Sequence, residues 1–172
     1  MSLSSVERAA RDIHAAFTGG ASLPSTLARY DDLIQHHPKD KADILSVRAY
    51  TWTHAEKPER AIGDLLFAVD RRSAGRLAAD LNYLSGLFME LHRFVEAETA
   101  LAQLIEVERA EHSTYFVEHA FLMRAYCLAC VGRGNEAVLL LDHVAPDASW
   151  DYTDNLPDIT PDLIRSLAKS TR

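Results

Sequence analysis

Two cysteines, Cys127 and Cys130, stand three residues apart, which is the spacing of a redox-active thiol pair. In thioredoxin-like sites such a pair follows a β-strand, and an electropositive surrounding favours the thiolate form. Here the neighbouring residues are apolar, the pattern around them is helical, and no strand precedes them. The sequence therefore predicts buried free thiols rather than a redox site. Two cysteines at this spacing build no disulfide framework, so we expect a cytoplasmic location.

The eight histidines are candidate metal ligands, but they are scattered along the chain. Glu108 stands four residues before His112, which would place both side chains on one helix face. A helix break expected at Ser113 separates this pair from His119. The chain also contains no HExxH motif, no phosphate-binding glycine loop and no nucleophile elbow. We therefore expect no catalytic residues, no metal and no cofactor, and predict that the protein is not an enzyme.

The net charge of −7 lies entirely in residues 81–172, because residues 1–80 carry equal numbers of acidic and basic side chains. An acidic half disfavours nucleic acid and anionic membranes as partners and favours a basic protein. The alternative is that the acidic surface only keeps the protein soluble. No apolar run is long enough for a transmembrane helix, and the first residues lack the apolar segment of a signal peptide.

The elements that would position a binding surface follow from a pattern that recurs three times. A small residue is followed three residues later by a large apolar one. Twelve residues after the small residue comes an alanine, which is itself four residues before a leucine. Small residues let two helix axes approach where they cross, so the pattern predicts copies of one helix pair. The copies comprise Ala49, Trp52, Ala61 and Leu65; Ser85, Phe88, Ala97 and Leu101; and Ala125, Leu128, Ala137 and Leu141.

These residues resemble tetratricopeptide repeats (TPRs), whose units are two antiparallel helices of about 34 residues. The resemblance covers residues 7–145 and implies an all-α fold, a right-handed α-α superhelix of about four helix pairs with a C-terminal capping helix. It implies one TPR-like domain over residues 1–172. We expect Gly75 to end a helix, and Ser113 and Thr160 to cap the starts of two others. The implied segments are repeats at 7–40, 42–75, 77–111 and 114–145, an acidic loop at 146–159 and the capping helix at 160–170.

Solenoids of this family bind proteins on a concave groove, which the first helix of each pair lines. Residues of those helices that point away from the packing side are the candidate contacts, and tyrosines are the expected hot spots. Asn82 is the only residue comparable to the lysine and asparagine set that grips the tails of heat-shock chaperones, so that activity is not expected. The groove residues predicted in this way are Arg8, Arg11, Ser46, Tyr50, Asn82, His119, Leu122 and Tyr126.

A run of carboxylates between residues 96 and 158 forms a second candidate surface. Clustered carboxylates speed the encounter with a basic protein. The same run is also typical of a solvated helix face. The contact residues predicted on this surface are Glu106, Glu108, Asp151 and Asp154.

The sequence thus predicts a non-enzymatic protein-interaction module, an adaptor or chaperone that holds a protein partner in its groove. An alternative is an immunity protein that neutralises a basic toxin through the acidic C-terminal half. A further alternative is a structural TPR protein that self-associates, for example as a homodimer. The richness in alanine, leucine and arginine is typical of a bacterial protein.

Overall fold

The computed structural model describes residues 4–72, 74–150 and 156–170, and within these ranges every regular element is a helix. The predicted all-α class is therefore confirmed, and within each of the two units described below consecutive helices pack against each other as in a helical repeat. The α-helices are α1 (Ser5–Thr18), α2 (Leu23–His36), α3 (Lys41–His54), α4 (Pro58–Arg71), α5 (Ala74–Glu90), α6 (Phe94–Ala110), α7 (Val117–Cys130), α8 (Gly134–Leu140) and α9 (Pro161–Ser170), and two short 3₁₀ helices span Pro38–Asp40 and Leu141–His143.

The chain divides into two compact units, residues 1–73 and residues 74–172. The border falls between the second and third of the repeats predicted from the sequence. The first unit contains α1 to α4, and α3 is its central helix because it packs against both α1 and α4. The buried core of this unit joins α1, α2 and α3 through Val6, Ala10, Ile13, Tyr30, Ile44 and Val47.

The helices of the first unit begin where the sequence supplies a cap. The hydroxyl of Ser4 accepts a hydrogen bond from the backbone N–H of Glu7 (3.1 Å), and α1 follows. The hydroxyl of Ser22 does the same at the start of α2, whose first turn also contains a proline. Pro58 opens α4, as its fixed φ predicts.

A charged cluster fixes α3 against α4. The guanidinium of Arg48 donates two hydrogen bonds of 2.7 Å to the two carboxylate oxygens of Asp64. The indole N–H of Trp52 donates to the same carboxylate at 3.0 Å. Asp64 is buried, so these three donors replace the water that its charge loses on folding. Trp52, the large apolar residue of the first sequence copy, thus contributes a polar contact as well as apolar bulk.

The second unit contains α5 to α9, with α6 packed between α5 and α7. The C-terminal α9, in the segment predicted as a capping helix, packs on α7 and α8. Gly134 at the start of α8 is required here, because a Cβ on it would lie 2.8 Å from the backbone of Ala168 in α9. Thr160 caps α9 as expected, since its hydroxyl accepts a hydrogen bond from the N–H of Leu163.

The structure repeats the turn between the paired helices. In the three sequence copies the carbonyl of the large apolar residue accepts a hydrogen bond from the N–H five residues later. The residue before that donor has positive φ in each case, and it completes the helix end known as a Schellman motif. The donor and acceptor pairs are Lys57 with Trp52, Arg93 with Phe88, and Arg133 with Leu128, and the positive-φ residues are Glu56, His92 and Gly132.

The small residues of the pattern lie in the interior. Every alanine of the three copies is fully buried, and Ser85 is buried at the equivalent position. Such burial is what a close approach of two helices requires.

Two predicted helix ends are wrong. Gly75 lies inside α5, whereas α4 ends at Arg71 because Arg72 takes an extended conformation (φ −94°, ψ 149°). A glycine within a helix costs only about 1 kcal/mol relative to alanine, so it does not dictate an end. Ser113 does not cap α7, which begins at Val117.

Among the helices of the described residues, none has both the length and the apolar character that crossing a lipid bilayer demands.

Candidate functional site

The C-terminal ends of α1 and α3 bring three ring side chains together on the first unit. The imidazoles of His14 and His54 lie with their centroids 5.1 Å apart, and the Tyr50 ring lies 6.2 Å from that of His14. We call His14, Tyr50 and His54 the His–Tyr face. Tyr50 remains 43% exposed, whereas Tyr126, the other tyrosine predicted as a contact, is 6% exposed.

A buried polar chain holds this face in place. The Nδ1 atom of His14 lies 2.9 Å from the hydroxyl of Thr51, and that hydroxyl lies 3.0 Å from the hydroxyl of Tyr30. Tyr30 in turn donates to the carbonyl of Ala10 at 3.2 Å. Thr51 and Tyr30 are fully buried, so the rigid interior of the unit fixes the His14 ring.

Burial shifts the pKa values of His14 and of Tyr30, which lies beneath it. Desolvation lowers the pKa of His14, and the positive charge of His54 lowers it further. Desolvation raises the pKa of Tyr30. The first shift favours the neutral imidazole of His14 on the face, and the second favours the protonated hydroxyl of Tyr30 beneath it.

The remaining groove residues predicted on the first unit differ in exposure. Arg8 and Arg11 are exposed on α1, and Arg11 pairs with the buried carboxylate of Glu7 at 3.3 Å. Ser46 is buried, because α3 is enclosed on several sides by its neighbours. Of the predicted residues on this unit, Tyr50 and the two arginines therefore lie on accessible surface, and Ser46 does not.

A cavity of about 360 Å³ marks the second unit beside the start of α7. It is lined by Glu118, His119 and Leu122 of α7 and by residues 145 and 147–150. The carboxylate of Glu118 accepts a hydrogen bond from the N–H of Ala145 at 2.8 Å, which ties the following segment to α7. A pair of backbone hydrogen bonds joins Trp150 to Ile159.

Trp150 packs on His119 with a ring-centroid distance of 3.9 Å. The Nδ1 atom of His119 is buried and has no hydrogen-bond partner in the part of the chain that the structure describes. Desolvation lowers the pKa of this imidazole to about 4. His119 is therefore a neutral ring at physiological pH, and the segment after α8 covers it.

The other groove residues of the second unit are largely enclosed. Leu122 is buried at the base of the cavity. Tyr126 is buried too, with its ring edge-on to Phe94 at 5.8 Å, and burial raises the pKa of its hydroxyl. Asn82 on α5 is partly buried, and its side-chain oxygen has no hydrogen-bond partner among the described residues. The exposure expected for Leu122 and Tyr126 is therefore not observed.

One carboxylate of the predicted acidic surface, that of Glu108, is buried. Glu108 is only 4% exposed, and its carboxylate accepts hydrogen bonds from the hydroxyl of Ser113 (2.8 Å) and the N–H of Phe116 (3.1 Å). It therefore braces the connection between α6 and α7 instead of facing a partner. Asp151 and Asp154 lie outside the described residues.

Arginines neutralise much of the remaining acidic run. Glu106 is exposed but pairs with Arg109 at 2.9 Å. Glu98 is largely enclosed and pairs with Arg124 at 2.8 Å. Two more carboxylates, Glu96 and Glu136, pair with arginines three residues before them. These contacts reduce the field that a basic partner would meet.

The structure agrees with the sequence on the thiols. Cys127 is buried and Cys130 half-buried, and both are free. Burial raises the pKa of both thiols, which keeps them protonated and weakly nucleophilic. Among residues 4–72, 74–150 and 156–170, no group of three or more His, Cys, Asp and Glu side chains is arranged to hold a metal ion.

No sequence pattern predicts His14 and His54 as parts of one surface. Nothing local in the sequence connects residue 14 with residue 54. Only the packing of α1 on α3 brings the two together.

Comparison with models of protein families, with curated proteins and with solved structures finds no match to this chain.

Proposed function

We propose that this protein is a non-enzymatic TPR-like module, a right-handed superhelix of about four helix pairs, that binds an extended segment of another protein in the cytoplasm. The His–Tyr face is the proposed contact surface. The observation that carries the proposal is the exposed ring of Tyr50 beside the imidazole of His14, which also contacts the His54 ring. Large, stiff side chains with an apolar body and a polar tip are the usual anchors of protein interfaces.

The packing beneath Tyr50 supports this assignment. Most of α3 is enclosed, and Arg48 fixes it to α4 through Asp64. A partner would therefore meet a preorganised surface and lose little conformational entropy in ordering it. The repeated Schellman turns and buried small residues support the TPR-like part of the proposal.

Site-specific photo-crosslinking in the native cell tests the contact surface. A photoreactive phenylalanine replaces Tyr50 in one variant and the exposed Val95 of α6 in a control variant. We expect an adduct with one protein at position 50 and none with that protein at position 95. The Tyr50→Ala variant should then bind the purified partner roughly 30-fold more weakly, the loss typical of an interface hot spot. Equal adducts at both positions would count against the His–Tyr face.

The immunity-protein alternative has one structural observation in its favour. The cavity beside α7 combines the carboxylates of Glu118 and Asp147 with the ring of Trp150, a combination that suits a cationic side chain. In that case Asp147→Lys would weaken binding to a basic partner, and binding would fall steeply with salt. The matched control is Asp162→Lys, which reverses an exposed carboxylate on α9.

The same experiments distinguish self-association from the adaptor and immunity-protein functions. A crosslink from position 50 to a second copy of this chain, together with a mass that rises with protein concentration in sedimentation, would make the homodimer the function of the face.

A further inference from the structure

Hydrogen-bond directions within the first unit fix which nitrogen of His14 carries the proton. Tyr30 has one hydroxyl proton, and it goes to the carbonyl of Ala10, which can only accept. Thr51 must therefore donate its own proton to the Tyr30 oxygen, from which it lies 3.0 Å away.

The Thr51 oxygen is then left to accept from His14. The Nδ1 atom of His14, 2.9 Å from that oxygen, therefore carries the ring proton. In the neutral imidazole this leaves a free lone pair on Nε2.

The second imidazole is fixed in the same state by a separate contact. The Nδ1 atom of His54 lies 2.9 Å from the carbonyl oxygen of Tyr50, which again can only accept. Nδ1 of His54 therefore carries a proton, and in the neutral imidazole the lone pair lies on Nε2. Histidines that bind metal ions in proteins commonly donate their other N–H to a carbonyl or another oxygen, which orients the ring and raises its basicity.

The spacing of the rings suits one shared ion. Zinc–nitrogen bonds of about 2.0–2.1 Å at a tetrahedral angle place two imidazole centroids about 5 Å apart. The centroids of His14 and His54 are 5.1 Å apart. The two rings are inclined by 65° and belong to helices that pack directly against each other, so their separation is set by the fold.

We propose that His14 and His54 form a two-histidine site for a divalent late transition-metal ion of the Zn²⁺ or Ni²⁺ class. Imidazole nitrogen is a preferred ligand of these ions, and Mg²⁺ and Ca²⁺ prefer oxygen. Since the described residues gather no third His, Cys, Asp or Glu ligand, water fills the remaining positions in the isolated protein. The site does not depend on the proposed function, although its open positions suit a ligand from a bound partner.

Isothermal titration calorimetry of the full chain with ZnCl₂ and separately with NiCl₂ tests the site. We expect one ion per chain at pH 7.5, and loss of that binding in His14→Ala and in His54→Ala. His36→Ala is the matched control. His36 is exposed and its Nδ1 also faces the carbonyl four residues before it, but no second imidazole ring in the described part of the chain contacts it. That variant should bind as the wild type does.

A positioning variant tests the role of the polar chain. Thr51→Val keeps the shape of the side chain and removes the acceptor for His14, so affinity should fall about tenfold. Urea unfolding of each variant establishes that it is folded at the titration temperature. Identical titrations for the wild type and the His14→Ala/His54→Ala double variant would overturn the proposal, as would an equal loss in His36→Ala.

Discussion

Glu56 and Gly132 occupy the same position in two helix hairpins, and both have positive φ, 56° and 80° respectively. An L-residue in this conformation is strained by about 1–2 kcal/mol, whereas glycine is not. We expect Glu56→Gly to raise the free energy of unfolding by up to about 1 kcal/mol and Gly132→Ala to lower it by about 1 kcal/mol. Urea unfolding of the two variants measures both changes.

A third glycine provides the control for that pair. Gly63 lies within α4, where it has ordinary helical φ, and an added Cβ would meet nothing within 4 Å. Gly63→Ala should therefore stabilise the protein by about 1 kcal/mol. The same substitution at Gly132 also meets no neighbour, so only the backbone conformation separates the two cases. Equal effects at both positions would contradict the strain argument.

His119 should make the protein sensitive to acid. Its pKa is lowered by burial to about 4 in the folded state, below the ordinary 6.5 of the unfolded chain. The folded state thus binds fewer protons between these values. The stabilisation from neutral His119 is complete above about pH 6.5 and decreases as the pH falls toward 4. At pH 5 the free energy of unfolding should be lower than at pH 7 by on the order of 2 kcal/mol.

Urea unfolding at pH 7 and pH 5 checks this dependence. His119→Phe keeps an uncharged ring against Trp150 and removes the titrating group. The variant should lose less stability than the wild type over this interval, and the difference isolates His119 from other groups that titrate. Parallel losses in the two proteins would show that His119 is already solvated when folded.

The carboxylate of Asp64 should be a large contributor to the stability of the first unit. Asp64→Ala leaves the guanidinium of Arg48 and the indole N–H of Trp52 without their shared acceptor. Breaking an enclosed ion pair of this kind costs about 3 kcal/mol. The control is Asp162→Ala, whose exposed partner contact with Arg165 should contribute less than about 1 kcal/mol. Thermal unfolding followed by circular dichroism compares the two.

The thiols should react slowly in the folded protein. Burial keeps Cys127 and Cys130 protonated, so labelling with Ellman's reagent at pH 7 should be slow until urea unfolds the chain. Cys130 is half-buried and should react before Cys127. Fast labelling of both thiols in the native state would show that α7 opens readily.

The regular part of the fold was predictable because it depends on local pattern. The alternation of small and large residues around Ala49 and Ala125 specifies how two neighbouring helices cross, and periodicity alone reveals it. Pro58 and Thr160 likewise signal helix starts through their own backbone and hydroxyl chemistry. These features need no knowledge of distant residues.

The surfaces were less predictable because they depend on contacts distant in sequence. Leu122 lies on the face of α7 expected to be open, but the segment after α8 covers it. Glu108 has the charge of a surface residue, yet the chain turns back at Ser113 and supplies donors that permit its burial. The pairing of His14 with His54 spans the whole of α2, which no local pattern describes.

The two tryptophans of the chain are divided between the two units, since Trp52 belongs to the first and Trp150 to the second. Trp52 donates its indole N–H to a carboxylate, whereas Trp150 lies against an imidazole ring. The indoles therefore emit from different surroundings, and a variant that retains only one of them reports on one unit. Intrinsic fluorescence of the two single-tryptophan proteins thus reveals, without any added dye, whether the halves of the molecule melt as one cooperative block or in succession.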